Sequence, residues 1–172
     1  LPDIQFKIIE PVNEAIEDIS AATVLKQDEI GEIIVQGPIV TESYDQLPEE
    51  TKLAKIKSKE GVWHRIGDLG YIDSKDRLWF CGRKSHRVIT KKGTWYSVCC
   101  EAIFNAHPKI FRTALISDGS DTPALAIEIN PKIRINKKNI KNDLMALAKS
   151  QDHTKDIKTF YIHPAFPVDV RH

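Results

Sequence analysis

Residues 63–83 read WHRIGDLGYIDSKDRLWFCGR, and this stretch predicts a β-hairpin. The first strand spans residues 69–73 and the second residues 78–81, because apolar and aromatic residues are enriched in both. The polar residues 73–76 form the loop between them. Just before the hairpin, Gly67-Asp68 is a dipeptide typical of turns. We therefore expect a strand end, a Gly-Asp turn and a hairpin in succession.

The residues before this hairpin also predict mainly β structure. Residues 4–8 alternate apolar and polar side chains, which is the pattern of a half-buried strand. Residues 31–38, GEIIVQGP, form a short apolar strand between turn residues. Residues 48–57 are expected to form a helix that begins at a proline and carries Leu53 and Ile56 on one face. The first half of the chain is thus predicted to be β-rich.

The second half alternates helices and strands. Ser97 is expected to cap a helix that runs to about Ala106, and Asn136 to cap a second helix. The second helix has an apolar stripe formed by Ile140, Leu144, Leu147 and Ala148. Strands are predicted in three segments, residues 111–117, 124–129 and 157–162. The fold class is therefore α+β, with a short sheet flanked by helices in the second half.

The charge changes between the two halves. The 172 residues carry 25 Lys+Arg and 24 Asp+Glu, so the formal net charge is +1. Residues 1–85 hold 11 basic and 16 acidic side chains, whereas residues 86–172 hold 14 basic and 8 acidic ones. A shift of this size within one chain indicates two units, with a boundary near residues 84–86.

Several classes of protein are excluded by what the sequence lacks. No run of about 18 apolar residues is present, so no membrane span is expected. The three cysteines, Cys81, Cys99 and Cys100, do not have the spacing of a disulfide framework or a metal site. Basic side chains within residues 132–141 fall on the outward face of a helix without interleaved aromatics, so nucleic-acid binding is not expected. The histidines are scattered, and no glycine-rich phosphate loop occurs.

Two features could support chemistry. Asp68, held at a turn, could accept hydrogen bonds from a pair of ribose hydroxyls, or it could simply close its own turn. The basic residues in 82–87 could bind phosphate, with arginine as a bidentate donor, or they could form a solvated connector. Spacing alone leaves both alternatives open.

Taken in order, the motifs resemble the late core motifs of the adenylate-forming superfamily, which contains acyl-CoA synthetases, adenylation domains and luciferases. The matching stretches are GEIIVQG at 31–37, WHRIGDLGY at 63–71, GRK at 82–84, then Gly93 and Glu101. The resemblance covers nearly the whole chain. Within the superfamily, residues 64–105 look most like the olefin-pathway β-lactone synthetases.

The resemblance implies a reaction. ATP and a fatty or 3-hydroxy fatty acid would give an acyl-adenylate, and a nucleophile would then displace AMP. That nucleophile is the thiol of CoA or a carrier protein in most of the superfamily, and the 3-hydroxyl of the substrate in the β-lactone synthetases. Asp68 and Arg83 match the residues that bind the ribose, whereas Lys84 and Ser85 match the hinge between the domains.

The resemblance also implies that the chain is a fragment. Residues 1–84 match the last, β-rich subdomain of the large domain, with a distorted barrel-like form, and residues 85–172 most of the small mobile domain. Most of the ATP site and the Mg²⁺ site belong to the missing N-terminal part, so no metal site is expected here. The catalytic lysine would lie just past His172. We expect a cytoplasmic enzyme whose 172-residue piece cannot adenylate on its own.

Three departures from the family pattern concern the second half-reaction more than adenylation. Ile66 replaces the usual threonine, Ile89 replaces a usual lysine, and Cys99-Cys100 replaces a proline-containing segment. They suit a branch that needs no external thiol. Two alternatives stay open: an ordinary acyl-CoA ligase of the same superfamily, and a stand-alone module that docks an acidic partner such as a carrier protein or an RNA.

Overall fold

The chain divides into two compact units, residues 1–85 and 86–172. The structure is a computed structural model that describes residues 3–133 and 137–167. Both units combine strands with helices, so the α+β class is confirmed. None of the helices in the described ranges is long and apolar enough to cross a membrane.

The first unit is built around one long strand. Its elements are β1 (Gln5–Ile9), β2 (Gly31–Gln36), α1 (Pro48–Ala54), β3 (Lys55–Ser58), β4 (Gly61–Ile72) and β5 (Leu78–Arg83). Strand β2 pairs with one edge of β4, while β3 and β5 pair with successive halves of the other edge. Strand β1 pairs with the outer edge of β2, and all these pairings are antiparallel. The sheet is not closed into a barrel within the described residues, so the barrel-like form expected for this unit is wrong.

Of two local predictions for the first unit, one is confirmed and the other is right only in part. The hairpin is confirmed, because Ile72 at the end of β4 lies opposite Leu78 at the start of β5. The helix predicted over residues 48–57 ends at Ala54 instead. Ile56 lies in β3 and is fully buried beside Trp63, because burial in the core favours the extended conformation over another helical turn. The hydrophobic core formed there also contains Ile9, Ile16 and Ile34.

The second unit is a three-stranded sheet with two helices and a separate hairpin. Its elements are β6 (Val88–Thr90), β7 (Gly93–Trp95), α2 (Ser97–Asn105), β8 (Ile110–Ile116), β9 (Ala124–Ile129), α3 (Lys137–Lys149) and β10 (Thr159–His163). Strand β9 is central, antiparallel to β8 and parallel to β10. Phe104 of α2 and Leu144 of α3 share one core with Leu125 and Ile127 of β9.

The predicted elements of this unit are largely confirmed, but their caps are not. Three residues of the predicted stripe, Ile140, Leu144 and Ala148, are buried. Ser97 is the first residue of α2, and Tyr96 precedes it without a side-chain cap. The predicted cap Asn136 lies outside the described residues.

Candidate functional site

Strand β4 contains a bulge at Asp68. Strand β2 places Ile34 opposite Arg65 and Glu32 opposite Leu69, so three residues of β4 face a single residue of β2. Gly67 has a φ of +74°, a conformation that costs glycine little and other residues much more. The predicted turn at Gly67-Asp68 is therefore wrong, because β2 pairs with β4 on both sides of these residues and Asp68 itself pairs with Arg83 of β5. Bulges of this kind re-aim side chains.

Asp68 and Arg83 form a pair across the hairpin. The two residues are register partners on β4 and β5, and Arg83 Nη1 donates to Asp68 Oδ1 at 2.7 Å. The same nitrogen donates to the carbonyl oxygen of Ile66 at 3.0 Å, so Arg83 also holds the bulge. The side chains are 24% exposed for Asp68 and 56% for Arg83. Among the described residues, Asp68 Oδ2 and Arg83 Nε and Nη2 have no hydrogen-bond partner, which leaves them available to a ligand.

A buried charge cluster lies beside this pair. The carboxylate of Glu32 is 1% exposed and binds Arg65, whose side chain is 3% exposed, through Nη2 at 2.8 Å and Nε at 3.3 Å. The remaining donors of Arg65 bind the backbone carbonyls of Val12, Glu14 and Leu53. Guanidinium has five N–H donors, and all five are used here. Arg65 thus serves the structure and has no donor left for a ligand.

Lys84 belongs to the same cluster. Its Nζ donates to the carbonyl of Val12 at 3.0 Å and to the two oxygens of Glu32 at 3.0 and 3.2 Å. An ammonium has three N–H donors, so Lys84 is also saturated. The next residue, Ser85, is exposed in a short 3₁₀ turn that spans Lys84–His86.

The basic segment 82–87 is therefore not one cationic cluster. Arg83 faces Asp68, whereas Lys84 is paired with Glu32. Sequence reasoning singled out Asp68, Arg83 and Lys84 as candidate functional residues, but it missed Glu32 and Arg65. A signal was present, since a glutamate inside the apolar strand GEIIVQG has to find a buried partner.

Cavities flank the sheet of the first unit. One of about 310 Å³ borders the charge cluster and Gly67, next to Asn13 and Leu53. A larger one of about 810 Å³ lies elsewhere and is lined by Tyr44 and Lys55 but not by Asp68 or Arg83. Burial lowers the pKa of Lys55 below its usual value. The Asp68–Arg83 pair is the better candidate site, because it belongs to the motifs and also keeps hydrogen-bonding atoms open to a ligand.

In the second unit, the motif residue Glu101 has a structural contact. Its Oε1 accepts a hydrogen bond from the backbone N–H of Leu115 at 2.8 Å, which ties α2 to the edge strand β8. Burial raises the pKa of Glu101 above its usual value. No group of three or more potential metal-ligating side chains occurs among the described residues, and none of the three cysteines forms a disulfide.

Two related sequences that match almost the whole chain are both olefin β-lactone synthetases. The chain is 40% identical to the olefin β-lactone synthetase of Xanthomonas campestris pv. campestris over 98% of its length. It is 38% identical to that of Stenotrophomonas maltophilia over the same share. A shorter match, 38% identical over 48% of the chain and 16% of the relative, is to the 2-succinylbenzoate–CoA ligase of Geobacillus kaustophilus. The chain spans 32% of the length of both synthetases. Models of known protein families give no match.

Solved structures share the fold. The O-succinylbenzoate coenzyme A synthetase of Bacillus subtilis, solved with AMP, has a TM-score of 0.77 at 21% identity over 99% of this chain and 32% of that one. The amide bond synthetase McbA of Marinactinospora thermotolerans has a TM-score of 0.75 at 22% identity over 98% of this chain and 32% of that one. The chain is thus homologous to the C-terminal part of adenylate-forming enzymes, as the sequence motifs predicted.

Proposed function

We propose that this chain is part of an AMP-forming acid ligase and that Asp68 and Arg83 hold the ribose of the nucleotide. The open atoms of this pair are the observation that carries the proposal. A ribose offers two neighbouring hydroxyls, and a carboxylate oxygen can accept hydrogen bonds from them. The free N–H groups of Arg83 can donate to the hydroxyl oxygens, because guanidinium presents its donors in a fixed fork. The pair would therefore bind and orient the nucleotide.

The two units have different proposed roles. Residues 1–84 would complete the large nucleotide-binding domain, and residues 85–172 would form the small mobile domain. The contacts of Lys84 indicate on which side of the hinge it belongs. Three hydrogen bonds attach its ammonium to Glu32 and Val12 of the first unit. Ser85 is exposed and has no such hydrogen bond to any of the residues that the structure describes. We therefore assign Lys84 to the large domain and Ser85 to the hinge about which the small domain would rotate.

For the substrate we propose a 3-hydroxy fatty acid whose own hydroxyl closes a β-lactone. The identity of 40% to an olefin β-lactone synthetase over nearly the whole chain favours this assignment. ATP is the second substrate. Mg²⁺ would accompany the ATP.

An ordinary acyl-CoA ligase is the second candidate. The match to a 2-succinylbenzoate–CoA ligase over about half of the chain favours it. The two candidates share adenylation and differ in the nucleophile. CoA therefore belongs to the second candidate and not to the first.

One assay separates these functions. The ligase encoded by the gene extended in both directions is given ATP and either a plain fatty acid or a 3-hydroxy fatty acid, and pyrophosphate exchange and products are measured. We expect exchange that favours the hydroxy acid, with AMP and a lactone accumulating in the absence of CoA. Turnover that starts only after CoA is added would support the CoA ligase, and no exchange with either acid would refute the proposal. The 172-residue chain alone should give no exchange.

A further inference from the structure

Glu32 contacts both strands that carry the Asp68–Arg83 pair. On β4 it binds Arg65, the last residue before the bulge that presents Asp68. At the end of β5 it binds Lys84, the residue directly after Arg83. Both partners reach the same carboxylate, which lies on β2 opposite Leu69 and is almost completely buried.

We propose that Glu32 is a positioning residue that holds Asp68 and Arg83 in the geometry needed to bind the nucleotide. The inference rests on the proposed function for the role of that pair. The bulge interrupts the ladder between β2 and β4, so regular backbone pairing does not fix Asp68 from that side. The side-chain contacts of Glu32 take the place of this backbone pairing, because they fix the chain immediately before the bulge and immediately after Arg83.

The chemistry of the cluster favours positioning over ligand binding. All five donors of Arg65 and all three donors of Lys84 are used within the first unit. Stability alone does not require the charges, because replacement of a buried ion pair by packed apolar side chains is often neutral or stabilising. What apolar side chains could not provide is the directional attachment of two strands to one carboxylate. A functional site built on supported side chains needs such attachment.

The test compares Glu32→Gln and Lys84→Met with Glu128→Gln in the extended ligase. Glu128 is a matched control, since its side chain is 10% exposed and is paired with Arg112 at 2.8 Å, but it lies in the second unit. Two quantities are measured: amide hydrogen exchange in peptides covering residues 64–70 and 81–86, and the KM for ATP in pyrophosphate exchange. Lys84→Met removes the contact of Glu32 with Lys84 but keeps its contact with Arg65, and the Lys84 side chain is 21% exposed. This variant therefore keeps the test valid if Glu32→Gln fails to fold.

We expect both first-unit variants to exchange faster in these peptides. Their KM for ATP should rise about tenfold, the factor that corresponds to one lost hydrogen bond to a charged group. The kcat should change by less than about twofold, because the loss is one of nucleotide binding. Glu128→Gln should leave both quantities unchanged.

Two results would overturn the proposal. The first is wild-type hydrogen exchange and KM in both first-unit variants. The second is an equal rise of KM in Glu128→Gln, which would mean that any loss of stability has this effect. If the wild-type ligase shows no pyrophosphate exchange, the proposed function fails by itself. The hydrogen-exchange measurement would then still decide whether Glu32 holds the pair.

Discussion

Replacement of Arg65 by methionine should strongly destabilise the first unit. The variant loses five hydrogen bonds and leaves the buried carboxylate of Glu32 with Lys84 as its remaining cation. Removal of one partner from a buried ion pair typically costs about 3–5 kcal/mol when the other charge is left unpaired, and we expect the lower end here because Lys84 still pairs with Glu32. Domains are stable by only about 5–15 kcal/mol, so this loss is a large fraction of the total.

Urea unfolding followed by tryptophan fluorescence measures the effect, since Trp63 lies in the core of the first unit. The matched control is Arg77→Met, which removes an arginine that is 58% exposed and paired with Asp73 in the same hairpin. We expect a much smaller loss for the control, because exposed ion pairs contribute little. If the free energy of unfolding falls by less than about 1 kcal/mol in the Arg65 variant, or by no more than in the control, the buried cluster does not stabilise the first unit as expected.

Two further predictions concern thiol reactivity and acid stability. Iodoacetamide at about pH 8 should modify Cys99 before Cys100 and Cys81, because thiolates react and burial raises the pKa of Cys100 to about 12. Mass spectrometry of the folded protein decides this, and faster labelling of Cys100 would contradict it. Hydrogen bonds, chiefly from Trp79, lower the pKa of Asp73 in the folded state. The stability that Asp73 contributes is therefore present above the ordinary carboxyl pKa and lost as the pH falls below it. Thermal unfolding from about pH 6 to about pH 2 should show the advantage of wild type over Asp73→Asn shrinking, and a constant difference would refute this.

Local patterns predicted much of the fold. The hairpin of β4 and β5 follows from two apolar segments and a polar loop, and β9 lies at the predicted residues 124–129. These elements depend on side-chain alternation and turn chemistry within a few residues. Such signals are fully contained in the local sequence.

What the sequence did not predict depends on partners that are distant in the chain. Gly67-Asp68 has the composition of a turn, but the pairing of β2 on both sides of it and the pairing of Asp68 with Arg83 of β5 hold it in a bulged strand. Glu32 lies 33 residues from Arg65 and 52 from Lys84, so no local pattern connects them. Tertiary contacts decide such positions.

For the site, the family motifs singled out Asp68 and Arg83 together, whereas spacing alone left the role of each residue open. Asp68 and Arg83 are 15 residues apart, and their register across the hairpin brings them into contact. The hairpin itself was predictable, but the residue-by-residue register was not, because a second irregularity follows Leu69.

The measurement that tests the central claim most directly is discrimination between ATP and 2′-deoxy-ATP by the extended ligase and its Asp68→Ala variant. A site that hydrogen-bonds a hydroxyl rejects an analogue that lacks it. We predict that wild type has a kcat/KM at least about tenfold higher for ATP, and that this preference disappears in the variant because kcat/KM for ATP falls. Equal discrimination in the two proteins would mean that Asp68 does not contact the ribose, and the proposed site would be wrong.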